Sequence, residues 1–523
     1  MKQILLVLLM ILASGIYSDN NIRAQYQNVL ITNTGSPNEP AICINPKNTD
    51  QLVAGSNLNF YFYSTNSGLN WTKATLSSTY SVWGDPAITV DTAGNFYYGH
   101  LTNPVSSYFI DRIVVQKSTN GGINWNNGSF SGFIPPKQQD KEWLCVDPYN
   151  NNIYMTWTQF DRYGSTDPND SSVILFSSST DAGESWSNAL RICKEAGDCI
   201  DEDRTAEGAV PCTGPNGEIY VSWAINEKIV FNKSTDGGIT WLPEETFVTT
   251  QTGGWDFNVS GIYRANGLPV TSCDLSDGPN RGTIYINWSD QRNGATDTDV
   301  FMIKSTDGGV TWSEVKRVNN DPSGKQQFFT WMTIDQTTGI LYFVYYDRRN
   351  YTTLQTDVYM AKSTDGGETF ENFKVSATPF TPNSSVFFGD YTNITAANNK
   401  VRPIWARLDN NTLSLYTAIV DIPTDIQFLN ESLPSAYKLY GNYPNPFNPV
   451  TKIKFDVAND LKDIVRITIY DMEGKEVGKL VDGNLEAGTY EVEWDGSEFA
   501  SGTYFCKMET GSFSDTISLL LIK

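Results

Sequence analysis

STDGGITW, residues Ser234–Trp241, is the stretch whose reading decides the fold. It returns as STNSGLNW from Ser64, STNGGINW from Ser118, STDAGESW from Ser179, STDGGVTW from Ser305 and STDGGETF from Ser363. Successive starts lie 54, 61, 55, 71 and 58 residues apart. A period in this range marks an array or a ring of repeated units rather than one continuous core. Each copy has the chemistry of a tight turn. Ser, Thr and Asp or Asn bond nearby backbone, Gly supplies positive φ, and Trp or Phe opens the next strand.

Between the boxes a second phrase repeats: a strand, a turn, then an aromatic-rich strand. AICINP with QLVAGS opens the first unit, and DPAITVDTAGNFYYGHL, WLCVDPYNNNIYMTWTQF and GAVPCTGPNGEIYVSWA open the next three. LPVTSCDLSDGPNRGTIYINWSD, TWMTIDQTTGILYFVYYD and YTNITAANNKVRPIWARL complete seven units against six boxes. The last unit, residues 388–420, supplies three strands. The orphan run YQNVLIT, Tyr26–Thr32, is its expected fourth, because pairing the chain ends closes a ring and removes exposed sheet edges.

Composition agrees with an all-β chain. Aromatic residues make up 13% and charged residues 18%, and short β-like runs alternate with Gly, Asn, Asp and Pro clusters. A net charge of −22 argues against nucleic acid or an anionic membrane surface as partner. MKQILLVLLMILASGIYS, residues 1–18, predicts a secretory signal peptide. No Cys follows its apolar run, and no later stretch approaches the roughly 18 apolar residues of a membrane span, so the mature chain is expected without one. Cys193 and Cys199 lie close enough in sequence to pair or to stay free. Cys43, Cys145, Cys212 and Cys273 read as small buried hydrophobes.

The boxes resemble the Asp-box, or BNR repeat, of sialidases and other secreted β-propellers. That resemblance implies an Asp-box β-propeller over residues 25–422. The unit count favours seven blades, and six, the number in sialidases, is the alternative. A linker is expected at 423–439. Residues 440–523 resemble the Ig-like C-terminal sorting domain of type IX secretion cargo, through PNPFNP at Pro444–Pro449, the Asp495–Phe505 stretch and the apolar finish at Lys523. This implies the type IX secretion machinery as a partner and a secreted or cell-surface location.

Ring geometry places the starts of the inner strands around one channel mouth, opposite the boxes. Those starts carry Glu39, Asp85, Glu142, Glu207 and Asp390, with Arg264 among them. Carboxylates crowded at a shared mouth repel, which raises some pKa values and suits acid–base work. Each also has a structural reading, as an acceptor for backbone N–H groups at a strand start. The candidate catalytic residues are Asp85, Glu142, Glu207, Asp390 and Tyr391. Tyr391 falls late in the chain, as the nucleophilic Tyr of sialidases does. The Arg-Ile-Pro phrase of that family's first blade is replaced here by Glu39-Pro40-Ala41-Ile42.

Candidate substrate-binding residues are Arg264, Arg292 and Arg348, which would grip an acidic sugar, and Trp143, Trp255 and Trp331 as stacking platforms. The loops Asp161-Arg162, Asp290-Gln291-Arg292, Asp347-Arg348-Arg349 and Arg407-Leu408-Asp409 pair each Arg with a nearby Asp, so tying neighbouring units together is the stronger reading of them. The single His, His100, rules out a Ser-His-Asp triad with a free choice of base and a His-rich zinc site. No metal site is expected. The acidic loops Asp274–Asp277 and Asp290–Asp299 offer oxygen ligands to Ca²⁺, without EF-hand spacing. An extracellular glycan or glycoprotein is the expected partner. Glycoside hydrolysis of the sialidase kind is the leading activity, and a non-catalytic glycan- or protein-binding propeller is the alternative.

Overall fold

The computed structural model describes residues 26–104, 109–421, 427–430, 434–458, 464–485, 487–497, 499–511 and 513–523. The expected signal peptide lies outside the described residues. No helix occurs among them, and the strands up to Asp421 form seven four-stranded antiparallel sheets and one two-stranded ribbon.

The first strands of the seven sheets are Ala41–Ile44, Gly84–Val90, Gln138–Val146, Glu207–Thr213, Val270–Cys273, Gln327–Asp335 and Asn393–Ala397. Each touches the next in this order, and the last touches the first, so they line a central channel. The seventh sheet closes as the sequence requires. Gln27–Thr32 pairs antiparallel with Thr412–Asp421, Gln27 opposite Ile419 and Leu30 opposite Tyr416. Asn28 then tethers this strand to the sixth sheet, donating to the Val375 carbonyl at 2.7 Å and accepting from the Ala377 N–H at 2.7 Å.

The STDGG turns join third and fourth strands. In the fourth sheet the Ser234 hydroxyl donates to Asp236 at 2.8 Å and accepts the Gly238 N–H at 2.9 Å. Asp236 accepts both the N–H and the hydroxyl of Thr240, at 2.8 and 2.6 Å. These bonds hold the exposed Asp236 carboxyl down at about 2. Gly238 is required twice over: its φ is +88°, and a Cβ there would meet the Phe176 ring at 2.2 Å. Trp241 then packs edge-on to Phe176 of the third sheet, ring centres 5.0 Å apart. The box is thus a clamp between neighbouring sheets.

The second strands supply the core. Trp157, Trp223, Trp288 and Trp405 are fully buried at matching places in four of them. His100 holds that place in the second sheet (FYYGH against IYMTW). It is fully buried, its Nδ1 lies 2.8 Å from the Leu101 carbonyl, and burial pushes the imidazole down to about 4.

The C-terminal region forms two further four-stranded sheets. One orders Gln427–Asn430, Gly488–Asp495, Val450–Val457 and Lys438–Tyr443; the other orders Glu476–Asn484, Ile464–Tyr470, Gly502–Glu509 and Ser514–Leu521. Ile453, Phe455 and Trp494 from the first share one core with Ile467, Cys506 and Leu519 from the second, making a β-sandwich. Gln427–Asn430 falls in the stretch expected to be linker, yet it pairs with Gly488–Asp495 as an edge strand. Its alternation was too short to register in the sequence. Cys193 and Cys199 are separate free thiols: Cys193 lies in the hydrophobic core and accepts the Ile174 N–H, while the Cys199 backbone forms an isolated antiparallel β-bridge with Ser165.

Candidate functional site

The channel mouth is shaped by a repeated irregularity. Strand register slips between Gly84 and Ala87, Asp140 and Trp143, Glu207 and Val210, and Phe328 and Trp331. Within each bulge one residue takes positive φ: Asp85 (52°), Lys141 (53°), Gly208 (78°) and Phe329 (52°). Glu39 (50°) and Gly389 (97°) do the same just before the first strands of the first and seventh sheets. A bulge re-aims the side chain it carries. Left-handed non-glycine residues cost energy and collect at working sites.

These bulges bring one charge cluster together around Lys141. Its ammonium lies 2.8 Å from Asp390, 3.1 Å from Asp85 and 3.7 Å from Glu39. Arg264 donates from Nε to Asp390 at 2.9 Å and from Nη1 to Asp201 at 3.0 Å. Asn57 donates to Glu39 and accepts the Asp85 N–H at 2.7 Å, locking two of the carboxylate-bearing segments together. The Tyr163 hydroxyl donates to Asp201 at 2.6 Å. Side-chain exposure is 1% for Asp390, 7% for Lys141, 13% for Asp85, 12% for Asp201 and 31% for Arg264. Asp85, Asp201 and Arg264 therefore form the solvent side of the cluster, and Asp390 is its floor.

Electrostatics split the carboxyls into two kinds. Burial alone would push Asp390 up, but Lys141 and Arg264 hold it well below the usual range. Burial would likewise lower Lys141, yet Asp390, Asp85 and Glu39 keep it firmly charged. Burial pushes Asp140 up to about 7, with Asp85 and Asp201 opposing its ionisation against the pull of Lys141. Burial also holds Glu39, Glu142 and Glu207 well above the carboxylate range. Neither oxygen of Glu142, nor Oε1 of Glu207, has a hydrogen-bond partner.

Of the carboxyls expected here, Glu39, Asp85 and Asp390 join the cluster through Lys141, while Glu207 is buried within electrostatic reach of Asp201 and Asp140 without an ion pair to Lys141. Glu142 is buried, and its charge adds to the burial that raises the Tyr98 phenol of the second sheet. Arg264 reaches the mouth from the ribbon Asp256–Phe257 with Ala265–Asn266, not from the start of an inner strand. Tyr391 is not at the surface: it packs against Trp143 at 5.1 Å and Trp331 at 6.2 Å, with the two indoles 4.6 Å apart. These three rings plug the channel. The cavity beside them is about 20 Å³, enough for roughly one water.

The remaining candidates lie elsewhere. Arg292 grips Asp290 at 2.5 Å and lies over the Phe301 ring. Arg348 is buried, donates to Thr356 and Gln326, and burial pulls its guanidinium down to about 10. Trp255 is buried and donates to the Thr205 carbonyl. Asp274 caps its own turn through the Ser276 N–H, while Asp297 accepts the Gly324 and Lys325 N–H groups and Asp299 holds Arg317 and Asn319. Among the described residues, no group of three or more His, Cys, Asp or Glu could hold a metal ion.

Lys141, Asp140, Asp201 and Asn57 escaped sequence reasoning. Lys141 left a trace: in QQDKEWL a lone Lys sits between two acids at the place where other units carry Glu39 and Asp85. Asp201 and Asn57 come from loops distant in sequence and left none.

Residues 151–420, most of the ring, match the BNR repeat-like domain family. The chain belongs to that family. Residues 442–523 of this BNR repeat-like protein match the secretion system C-terminal sorting domain. It is therefore type IX cargo, delivered to the cell surface or the extracellular space. None of the curated proteins matches it in sequence. Solved structures of similar fold include the Hadza microbial sialidase Hz136, at 13% identity over 71% of this chain and 73% of that one, with a TM-score of 0.43. A protein of unknown function from Dyadobacter fermentans shares 14% identity over 76% and 99%, TM-score 0.44. A PL25 ulvan lyase shares 12% over 76% and 96%, TM-score 0.46.

Proposed function

We propose that this protein is exported to act on extracellular glycans, and that its working site is the channel mouth around Lys141, where carboxyls cleave a glycosidic bond. The observation that carries this is the split among the carboxyls. Asp140 is pushed up to about 7, the range of a proton donor, while Lys141 and Arg264 keep Asp390 ionised. Environments that drive neighbouring carboxyls apart assign acid and base roles. Asp140 is the proton donor in this reading. Asp85, ion-paired to Lys141 and partly open to solvent, is the base or nucleophile. Lys141, itself held by Asp390, positions both, pairing with Asp85 and donating its backbone N–H to Asp140. Arg264 already bridges two carboxylates and the mouth carries more acids than cations, so a neutral or basic sugar suits it better than the acidic sugar of sialidases.

A second reading, a glycan- or protein-binding propeller without turnover, is favoured by one specific observation. The Trp143–Trp331–Tyr391 plug leaves no deep pocket in the channel, so a ligand rests on the mouth rather than entering it. The full mature chain, screened against chromogenic glycosides and a glycan array, separates the two. Turnover that falls ~10²–10⁴-fold in Asp140→Asn and Asp85→Asn at unchanged melting temperature supports the hydrolase. Array binding without turnover of any glycoside supports the binding protein. Neither binding nor turnover removes both.

A further inference from the structure

Beside the mouth, where the seventh sheet meets the first, lies an open cleft of about 400 Å³. We propose that it is a second carbohydrate subsite, taking a neutral, hydroxyl-rich sugar unit of a chain whose other end lies at the mouth. This rests on the reading of the mouth as a glycan site. The volume falls in the range of small-ligand sites, ~300–1,000 Å³.

The lining carries the chemistry. Every residue of it is uncharged, and Asn33, Asn38 and Asn411 contribute three amides, with Ser36 and Thr412 adding hydroxyls. An amide both donates and accepts, as a sugar hydroxyl does, so the two match without any net charge. Phe387 offers an apolar ring for the C–H face of a pyranose. Asn38 is about nine-tenths buried. Its amide donates to the Ser36 carbonyl at 3.3 Å, and its Oδ1 has no partner. A buried acceptor without a donor is costly, and a ligand hydroxyl in the cleft supplies one. A sialic acid carboxylate or a sugar ammonium, in contrast, would lose water there and find no counter-charge.

The cleft is continuous with the mouth through two short links. Asn38 directly precedes Glu39, which faces Lys141 at 3.7 Å. Phe387 lies under the Arg264 guanidinium at 5.6 Å and meets the exposed Tyr263 edge-on at 5.8 Å. An oligosaccharide bound at the mouth thus passes Tyr263 and Phe387 on its way to the cleft.

The test applies the full mature chain to an array of neutral, sialylated, sulfated and amine-bearing oligosaccharides, then titrates the retained ones by calorimetry. Thr412→Trp fills the cleft from its exposed rim, and Asn33→Asp places a charge in it. Neutral oligosaccharides are expected to bind, and either variant to weaken them at least tenfold with the melting temperature unchanged. Should Thr412→Trp lower the melting temperature, Asn33→Asp alone decides. Binding of neutral oligosaccharides that both cleft variants weaken, with no turnover of any glycoside, marks failure of the mouth reading and leaves the cleft standing. Unchanged affinity in both cleft variants overturns the proposal. So does retention of acidic or amine-bearing glycans alone, displacement by a neutral tetrapeptide in preference to oligosaccharide, or no retention of neutral glycans at millimolar concentration.

Discussion

Lys141→Met removes the one cation shared by three carboxylates at the floor of the mouth. Asp390, 1% exposed, loses a contact of 2.8 Å, and Asp85 and Glu39 lose contacts of 3.1 and 3.7 Å. Removing one partner of a buried ion pair costs ~3–5 kcal/mol, because the remaining charge is left uncompensated. Arg264 still holds Asp390, and Asp85 is partly wet, so the lower end, ~3 kcal/mol, is expected. Urea unfolding of the mature chain at pH 7, followed by tryptophan fluorescence, measures it. The double variant Lys141→Met/Asp390→Asn removes both partners and should recover ~1.5–3 kcal/mol relative to the sum of the singles. The pH dependence has a definite sign. The folded-state value of Asp390 lies below its unfolded value, so the stability it brings is present above pH ~4 and lost as pH falls toward the folded value. The gap between wild type and Lys141→Met therefore narrows below about pH 4. A variant within ~0.5 kcal/mol of wild type, with an unchanged urea slope and an additive double mutant, would refute the account of Lys141 as the keystone of the mouth.

Asp140, raised to about 7, gives up its proton as pH passes through that value; if it is the proton donor, turnover on any substrate found falls above about pH 7, and Asp140→Asn abolishes that limb along with most of the rate. Because its folded value is raised, wild-type stability falls as pH rises from ~4 to ~7, and Asp140→Asn should flatten this slope in melting curves. Trp241→Ala should cost ~2–3 kcal/mol, below the figure for a fully buried indole because Trp241 is only partly buried, and should leave ligand affinity untouched; normal melting with lost binding would move the site to the box face. Ending the chain at Asp421 keeps all seven sheets, including the closing pair of Gln27–Thr32 with Thr412–Asp421, and should leave a folded protein in the periplasm of a type IX-competent host. Normal levels of that truncated protein in the medium would contradict the role of the tail.

By itself the sequence determined whatever depends on neighbours along the chain. The STDGG turns are local: Ser234, Asp236 and Gly238 close on one another within five residues, so their chemistry is legible wherever they recur. The strand phrases and the run that closes the seventh sheet were equally readable, because period-2 patterning and turn residues express them directly, and the sorting tail was legible through its family resemblance, carried by PNPFNP and the apolar finish. The ring told which carboxyls would meet, and Glu39, Asp85 and Asp390 do meet at Lys141. What it could not tell was which way each one faces. Bulges at Asp85 and Lys141 turn side chains inward that strict alternation would place otherwise, and a one-residue slip inverts a face. Tertiary structure alone decided that Lys141 is the hub, that Arg292 and Arg348 serve local partners, and that Tyr391 plugs the channel with two indoles. It alone also joined Asp201 and Arg264 to Asp390, from segments up to 189 residues apart. Charge pairing and desolvation act through space, and the distances that set them exist only once the ring has closed.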